Sequence, residues 1–166
     1  MKNVNGIGWN GKSFLLLGQG ETTTYNIMYS IYNEYINGVY QVYWLKSSIS
    51  FNGMIDNYPF QNMANDVVWN PNYKCWIIVG NDSNNQIAYS YDGINWYSIN
   101  NQPSTNITRN LDSIAIDTTN NIIIACSSTE KKFVISVDFS NWSPLDNPVF
   151  DTSINGISYN LSLIHI

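Results

Sequence analysis

The segment Asn5-Gly6-Ile7-Gly8-Trp9-Asn10 decides the fold of this 166-residue chain, because similar segments occur three more times. The other copies are Asn65-Asp66-Val67-Val68-Trp69-Asn70, Asp112-Ser113-Ile114-Ala115-Ile116-Asp117 and Asn155-Gly156-Ile157-Ser158-Tyr159-Asn160. The third residues of the copies, Ile7, Val67, Ile114 and Ile157, are 60, 47 and 43 residues apart. Each copy predicts a short strand, and recurrence at this interval indicates stacked modules.

Further strands recur inside each unit. Buried second strands are predicted at Phe14-Leu15-Leu16-Leu17-Gly18, Trp76-Ile77-Ile78-Val79-Gly80 and Ile122-Ile123-Ile124-Ala125-Cys126. Third strands follow at Asn26-Ile27-Met28-Tyr29-Ser30, Gln86-Ile87-Ala88-Tyr89-Ser90 and Lys132-Phe133-Val134-Ile135-Ser136, and fourth strands open at Trp96 and Trp142. Four antiparallel strands in a unit of this size, repeated along the chain, are typical of the blades of a β-propeller.

The turns before the fourth strands carry the most specific local pattern. Ser90-Tyr91-Asp92-Gly93-Ile94-Asn95-Trp96 has the form S-x-D-G-x-x-W, and Ser136-Val137-Asp138-Phe139-Ser140-Asn141-Trp142 repeats it without the glycine. The Ser and Asp oxygens can accept the turn's backbone N–H groups, glycine tolerates positive φ, and tryptophan covers the hairpin. Turn chemistry therefore accounts for every motif residue: Ser90, Asp92, Gly93, Trp96, Ser136, Asp138 and Trp142.

These turns resemble Asp-boxes, and the chain resembles the sialidase-like β-propellers that contain such repeats. The resemblance implies an all-β fold in which the Asp-boxes lie on the outer rim, away from the central site. We expect a partial propeller of about three four-stranded antiparallel blades, at 4–46, 65–99 and 112–146, plus the first strand of a fourth at 154–160. Alternate residues of the opening strands should form a buried face: Ile7, Trp9, Val67, Trp69, Ile114 and Ile116.

The first unit departs from the pattern, because Asn37-Gly38 between alternating apolar residues predicts a long hairpin with a two-residue type I′ turn. Counting outward from the turn pairs Ile36 with Val39, Tyr35 with Tyr40, Tyr32 with Tyr43 and Ile31 with Trp44. The aromatic residues either pad the sheet or a neighbouring chain, or form a ligand platform. The candidate platform is Tyr32, Tyr35, Tyr40, Tyr43 and Trp44.

The last six residues, Leu161-Ser162-Leu163-Ile164-His165-Ile166, resemble a translated sequencing adapter. We therefore expect 161–166 to be a non-native tail, residues 1–160 to be an incomplete propeller, and the remaining blades to be missing from this sequence. Without the tail the chain has no histidine and only Arg109 as arginine. A Ser-His-Asp triad, a His-ligated metal site and the arginine triad of sialidases are thus not expected.

The composition indicates the class of partner. Only 11% of the residues are charged and the net charge is −5, so no electrostatic footprint for nucleic acid is present. No apolar run predicts membrane insertion, no cofactor or metal site is predicted, and Cys75 and Cys126 are expected to be buried thiols. An Asn- and Ser-rich surface with few charges fits a virion or cell surface, although the location stays open.

The sequence therefore predicts a non-catalytic binding or structural module with a glycan or protein ligand. Two alternatives stay open: a truncated sialidase-like glycoside hydrolase whose catalytic residues lie in other blades, and a propeller assembly factor.

Overall fold

The computed structural model describes residues 3–19, 27–45, 49–55, 57–60, 62–82, 84–103, 110–145, 154 and 156–159. These residues form an all-β structure of three successive sheets, and none of them lies in a helix. Arg109 and the expected tail 161–166 lie outside the described residues, as does the side chain of Tyr32.

The first sheet contains four antiparallel strands in chain order: β1 (Asn3–Trp9), β2 (Phe14–Gln19), β3 (Ile27–Ile36) and β4 (Val39–Leu45). The third sheet has the same order: β11 (Ser113–Asp117), β12 (Ile122–Ser127), β13 (Lys132–Ser136) and β14 (Ser143–Leu145). The first three predicted opening segments, the apolar second strands and the third strands all overlap strands in the predicted order.

The second sheet is larger than predicted. Its four expected strands are β7 (Met63–Asn70), β8 (Cys75–Asn81), β9 (Ile87–Ser90) and β10 (Asn95–Ser98). A short hairpin of β5 (Ser50–Phe51) and β6 (Met54–Ile55) extends it to six strands, because β5 pairs parallel with the outer edge of β10. The expectation of four strands here was therefore wrong: residues that connect two sheets complete the edge of the second.

In each sheet, one side chain organises the turn between the first two of the predicted strands. The Oδ1 atom of Asn10 accepts the backbone N–H groups of Lys12 and Ser13, at 2.9 and 2.7 Å. Asn70 and Asp117, the last residues of the next two sequence repeats, accept the N–H groups two and three residues ahead of them in the same way. The final Asn or Asp of each repeat therefore builds the turn into the second strand.

The sheets pack face to face, and alternation along the strands divides each into two faces. We call the face that contains Ile7, Val67 or Ile114 the near face of its sheet and the opposite one the far face. The near face of the second sheet packs on the far face of the first, joining Val67, Trp76 and Trp96 with Leu15 and Leu17. The near face of the third sheet packs on the far face of the second in a separate core. The three inner strands β1, β7 and β11 consequently lie next to one another.

The predicted burial of the opening strands is correct for Val67 and Ile114 but wrong for Ile7 and Trp9. Val67 is 5% exposed, whereas its counterpart Ile7 is 58% exposed. The alternation itself was predicted correctly, since Ile7 and Trp9 do share the near face of β1. No described residue packs a further sheet against that face, so the same pattern produces a core in two copies and an exposed surface in the first.

Close approach of β1 and β7 depends on glycine. A Cβ atom on Gly8 would lie 2.9 Å from the ring of Trp76 and 3.0 Å from a methyl group of Val67. Because Gly8 has no Cβ atom, the second sheet can pack directly against strand β1 of the first.

The predicted strand at 154–160 is not formed among the residues described there. Residues 156–159 pair with no strand but lie against the third sheet, where the N–H of Ile157 donates to Ser113 Oγ at 3.3 Å. A single segment that pairs with no strand among the described residues does not make a sheet.

Candidate binding surface

The tyrosine-rich hairpin of β3 and β4 forms with nearly the predicted register. Ile36 pairs with Val39, Tyr35 with Tyr40 and Tyr32 with Tyr43. Asn37 and Gly38 have φ angles of 52° and 82°, which a type I′ turn requires at both central residues. The predicted pair Ile31 with Trp44 was wrong, because the register shifts between Ser30 and Tyr32 and Trp44 pairs with Ser30. A bulge of this kind was not visible in the alternating sequence.

The register separates the five candidate platform residues. Tyr35 and Tyr40 lie on one side of the hairpin, with ring centroids 5.0 Å apart and an interplanar angle of 60°. Tyr43 pairs with Tyr32 on the opposite side. Trp44 is half-buried at the base, where its ring lies 6.4 Å from that of Phe14. The structure therefore brings Tyr35 and Tyr40 together and places Tyr43 and Trp44 elsewhere, while the side chain of Tyr32 lies outside the described residues.

The hairpin tip is exposed on both sides. Tyr35, Tyr40 and Tyr43 are 65%, 71% and 50% exposed, and the tip residues Ile36 and Val39 are also exposed. β3 has 10 residues, whereas the corresponding strands β9 and β13 have 4 and 5. The first sheet thus presents an apolar, aromatic projection for which the other two sheets have no equivalent.

In the second sheet, the turn between β9 and β10 takes the place of the long hairpin and is closed by side-chain hydrogen bonds. Ser90 Oγ accepts the N–H of Gly93 at 2.8 Å, and Asp92 Oδ1 accepts the N–H groups of Ile94 and Asn95 at 2.8 and 2.7 Å. Trp96 is fully buried and donates its indole N–H to the carbonyl of Gly93 at 3.2 Å. Gly93 has a φ angle of 79°.

The turn of the third sheet repeats this network. Asp138 Oδ1 accepts the N–H groups of Ser140 and Asn141 at 3.0 and 2.8 Å, and Trp142 donates to the carbonyl of Phe139 at 2.8 Å. Phe139 stands in the place of Gly93 and has a φ angle of 56°, which is unusual for a bulky residue. Its ring packs edge-on against Tyr73 and Tyr89 of the second sheet, at 4.9 and 5.3 Å. Packing against the preceding sheet accompanies the strained backbone here.

Sequence analysis missed the asparagine before each tryptophan. The Nδ2 groups of Asn95 and Asn141 donate to the second carboxylate oxygens of Asp92 and Asp138, both at 2.7 Å. The Oδ1 of Asn95 accepts the hydroxyl of Ser50, and the Oδ1 of Asn141 accepts the side-chain amide of Asn101. Each asparagine therefore ties a turn to the segment that arrives from the preceding sheet. The shared Asn-Trp dipeptide was the signal that could have identified it.

Hydrogen bonding controls the ionisation of the two turn carboxylates. Burial alone would raise the pKa of Asp92, but the N–H groups of Asn95 and Ile94 and the side chains of Asn95 and Ser90 outweigh it and lower the pKa. The side-chain amide and the backbone N–H of Asn141 lower the pKa of Asp138. Both carboxylates are held as anions in their turns.

A second set of missed residues connects the inner strands. The side-chain amide of Asn5 donates to the carbonyl of Ala64 at 3.0 Å, and that of Asn65 donates to the carbonyl of Leu111 at 2.8 Å. Asp66 Oδ2 accepts the N–H of Ile114 at 3.0 Å, much as Ser113 Oγ accepts that of Ile157. The first position of the first two repeats and the second position of the second and third therefore bind the segment that follows, which leaves Asp66 occupied in a structural contact.

The two cysteines of the chain lie in the interior of the fold. Cys75 and Cys126 are buried free thiols, and burial raises their pKa values to about 12 and about 11.

The described part of the chain contains no cluster of three or more His, Cys, Asp or Glu side chains arranged to hold a metal ion. In that same part, no helix has the length and apolar character needed to cross a membrane.

Comparison with solved structures supports an all-β, propeller-like fold. The crystal structure of an ancestral GH74 enzyme, a β-propeller glycoside hydrolase, matches 87% of this chain with a TM-score of 0.51 and 16% sequence identity. This likeness is one of fold and supports a propeller-like arrangement of the three sheets. The chain spans about a fifth of the length of that enzyme, with 20% of it covered.

Sequence comparisons add nothing to the structural match: no protein-family model and no curated protein matches the chain.

Proposed function

We propose that this chain is a non-catalytic binding module of the β-propeller type, and that the hairpin of β3 and β4 is its contact surface. The observation that carries this proposal is the exposure of Tyr35, Tyr40 and Tyr43 on a hairpin longer than its counterparts. Large exposed aromatic residues with few side-chain torsions are typical anchors of binding sites.

The chemistry of the tip favours a protein ligand. Ile36 and Val39 extend the aromatic surface with aliphatic side chains, which fit an apolar groove. A glycan ligand requires rings that can stack flat on a sugar, and the 60° angle between Tyr35 and Tyr40 prevents these two from forming one plane. Glycan binding through a single ring is the second candidate.

We further propose that the three sheets are propeller blades and that the two Ser-x-Asp turns are Asp-boxes with a structural role. Each turn satisfies its own backbone N–H groups and joins a segment from the preceding sheet, which leaves its carboxylate engaged within the fold. This arrangement supports a role in stability and not in ligand binding.

The alternative of a glycoside hydrolase is supported by the fold of the GH74 neighbour. In that case the chain would hydrolyse a polysaccharide, either alone or only when joined to other blades. Release of reducing sugar from a panel of plant and microbial polysaccharides, and of fluorophore from sialosides, tests it directly. We expect no turnover.

The binding proposal is tested with the double variant Tyr35→Ser/Tyr40→Ser. A displayed peptide library is selected on the full chain, and the chain is also applied to a glycan array. Ligands from either source are then titrated against the wild type, the double variant and the control Tyr91→Ser, which removes another exposed tyrosine, in the turn of the second sheet. We expect selected peptides to bind the double variant at least about tenfold more weakly, a change of about 1.4 kcal/mol, and the control to bind normally.

Equal binding to all three proteins would show that the hairpin is not the contact surface. If the double variant loses binding only to glycans, the ligand is a glycan bound through a single ring, which is the second candidate. Melting temperatures of the three proteins should agree, since every substituted side chain is exposed.

A further inference from the structure

The tip of the β3–β4 hairpin is exposed on both sides, so burial does not fix its register. The four residues nearest the turn are between 42% and 71% exposed: Tyr35, Ile36, Val39 and Tyr40. A buried face specifies the pairing of a strand, because a slip by one residue turns its apolar side chains to solvent. At this tip the register depends instead on the Asn37-Gly38 turn and on contacts between the two strands.

The side chains of Tyr35 and Tyr40 make the closest of these contacts. Ile36 and Val39 flank a two-residue turn, so the next pair outward, Tyr35 and Tyr40, is a non-hydrogen-bonded pair of the antiparallel ladder. The Cα atoms of such a pair are about 4.5 Å apart and its side chains approach closely. Accordingly, the two ring centroids are 5.0 Å apart and the rings are inclined at 60°. Two phenols therefore meet across the hairpin, both open to solvent.

Two phenol rings in contact can be joined by oxidation. A one-electron oxidant removes one electron and one proton from each tyrosine and leaves two phenoxyl radicals. A carbon–carbon bond forms between the ring positions next to the hydroxyl-bearing carbons. The hydrogen on each of these positions then moves to the phenolic oxygen, which restores both aromatic rings. The pair loses two hydrogen atoms in total, and a peroxidase uses them to reduce one peroxide molecule to two water molecules.

We propose that Tyr35 and Tyr40 are an oxidative modification site, at which a peroxidase or a similar one-electron oxidant joins the two rings as dityrosine. The new bond ties β3 to β4 beside the turn and fixes the register of the exposed tip. This modification does not require the hairpin to bind a ligand.

The packing of the other tyrosine pairs in the described part of the chain is less suited to coupling. The ring of Tyr89 lies 5.7 Å from that of Tyr91 and 5.5 Å from that of Tyr97. Tyr89 is half-buried, and its ring also packs against Phe139 at 5.3 Å. Coupling requires two rings to turn edge toward edge, and these neighbours oppose that rotation. Tyr35 and Tyr40 are 65% and 71% exposed and have room for it.

The test treats the full chain with a haem peroxidase and hydrogen peroxide. Dityrosine fluorescence and intact mass follow the reaction, and peptide mapping identifies the joined residues. Because the two rings are already adjacent, coupling within one chain should be faster than coupling between chains. We expect a monomer that has lost two hydrogen atoms, in a yield that stays the same when the protein is diluted about tenfold.

Phenylalanine variants localise the site, since they keep the ring and remove the phenol that forms the radical. Tyr40→Phe should lower the yield of cross-linked monomer at least about tenfold. Two controls should react normally: Tyr43→Phe, on the opposite side of the same hairpin, and Tyr91→Phe, beside Tyr89. All three substituted side chains are exposed, so the variants should unfold like the wild type.

The effect of the bond on the hairpin is measured by hydrogen exchange. Exchange at residues 35–40 should be slower in the cross-linked monomer than in the untreated chain, because the bond opposes opening of the tip. Exchange in the second and third sheets should not change.

Four results would overturn the proposal. They are equal yields from Tyr40→Phe and the wild type, a bond mapped to other tyrosines, unchanged exchange at 35–40 after cross-linking, and cross-linked dimers without oxidised monomer. Ligand binding is measured in none of these experiments, so this proposal and that of the contact surface can fail separately.

Discussion

At the scale of single residues, polar side chains at repeated positions hold this fold together. Asn10, Asn70 and Asp117 each build a hairpin turn, and Asp92 and Asp138 each organise a turn before a fourth strand. Such residues satisfy backbone N–H groups that neither strand of a hairpin can reach. The abundance of Asn, Asp and Ser in the chain therefore has a direct structural use.

The ionisation of Asp92 makes part of the stability depend on pH. Its pKa is lowered in the fold, so its contribution is present above the unfolded value near 3.9 and is lost as the pH falls through the folded pKa. Asp92→Ala should cost about 1 kcal/mol at pH 7 through lost turn hydrogen bonds and less at pH 3. Urea unfolding at the two pH values measures both numbers.

Glu130→Ala is the control for Asp92→Ala, because this partly exposed carboxylate forms a surface ion pair with Lys132 at 4.0 Å and lies outside the turn that Asp92 organises. It should change the free energy of unfolding by no more than about 0.5 kcal/mol at pH 7. An equal loss for Asp92→Ala at pH 3 and pH 7 would show that the charge of Asp92 does not stabilise the turn.

At the scale of elements, the hairpin between the third and fourth predicted strands of a sheet has two different forms. In the second and third sheets it is short, closed by Ser and Asp, and anchored by a buried tryptophan. In the first sheet it is long, closed by Asn37-Gly38, and projects exposed tyrosines. The first form joins neighbouring sheets, whereas the second leaves a surface free for a ligand.

Substitution should separate these two forms. Trp96→Ala should cost on the order of 3–5 kcal/mol, because it empties a fully buried site in the core between the first and second sheets. Tyr40→Ala should change the free energy of unfolding by no more than about 0.5 kcal/mol, since that side chain is 71% exposed. Chemical denaturation of both variants gives the comparison. A loss above about 2 kcal/mol for Tyr40→Ala would mean that the hairpin is packed and unavailable.

At the scale of the whole molecule, one packing relationship is used twice. The near face of each later sheet covers the far face of the sheet before it, and the inner strands approach through small residues and side-chain amides. The near face of the first sheet and the far face of the third have the same apolar character, and no further sheet among the described residues covers either face. Repetition of one interface explains both the two cores and the two exposed faces.

Gly8→Val tests this relationship. The new side chain would collide with Trp76 and Val67 and hold the first two sheets apart, at a cost of about 1–3 kcal/mol. Ile7→Thr, the adjacent position on the opposite face of the same strand, should change the free energy of unfolding by no more than about 0.5 kcal/mol. Urea unfolding and hydrogen exchange in β1 and β7 measure the effect, and normal exchange in Gly8→Val would refute the close approach.

The sequence by itself determined the elements that depend on local chemistry. Alternation and β-branched runs located the strands of the first and third sheets and four of the six strands of the second. Asn37-Gly38 determined the hairpin register as far as Tyr32, because turn type and side-chain period are local properties. The buried tryptophans Trp96 and Trp142 were also recognisable from the turns before them.

Only the tertiary structure decided what each pattern contacts. Ile7 and Val67 occupy equivalent positions in equivalent strands, yet one is exposed and the other buried, because burial depends on whether another sheet is present. The bulge before Tyr32, the parallel strand β5 and the amide contacts of Asn5, Asn65 and Asn95 likewise arise between segments distant in sequence. Periodicity reports which side chains share a face, and packing between sheets decides what lies against that face.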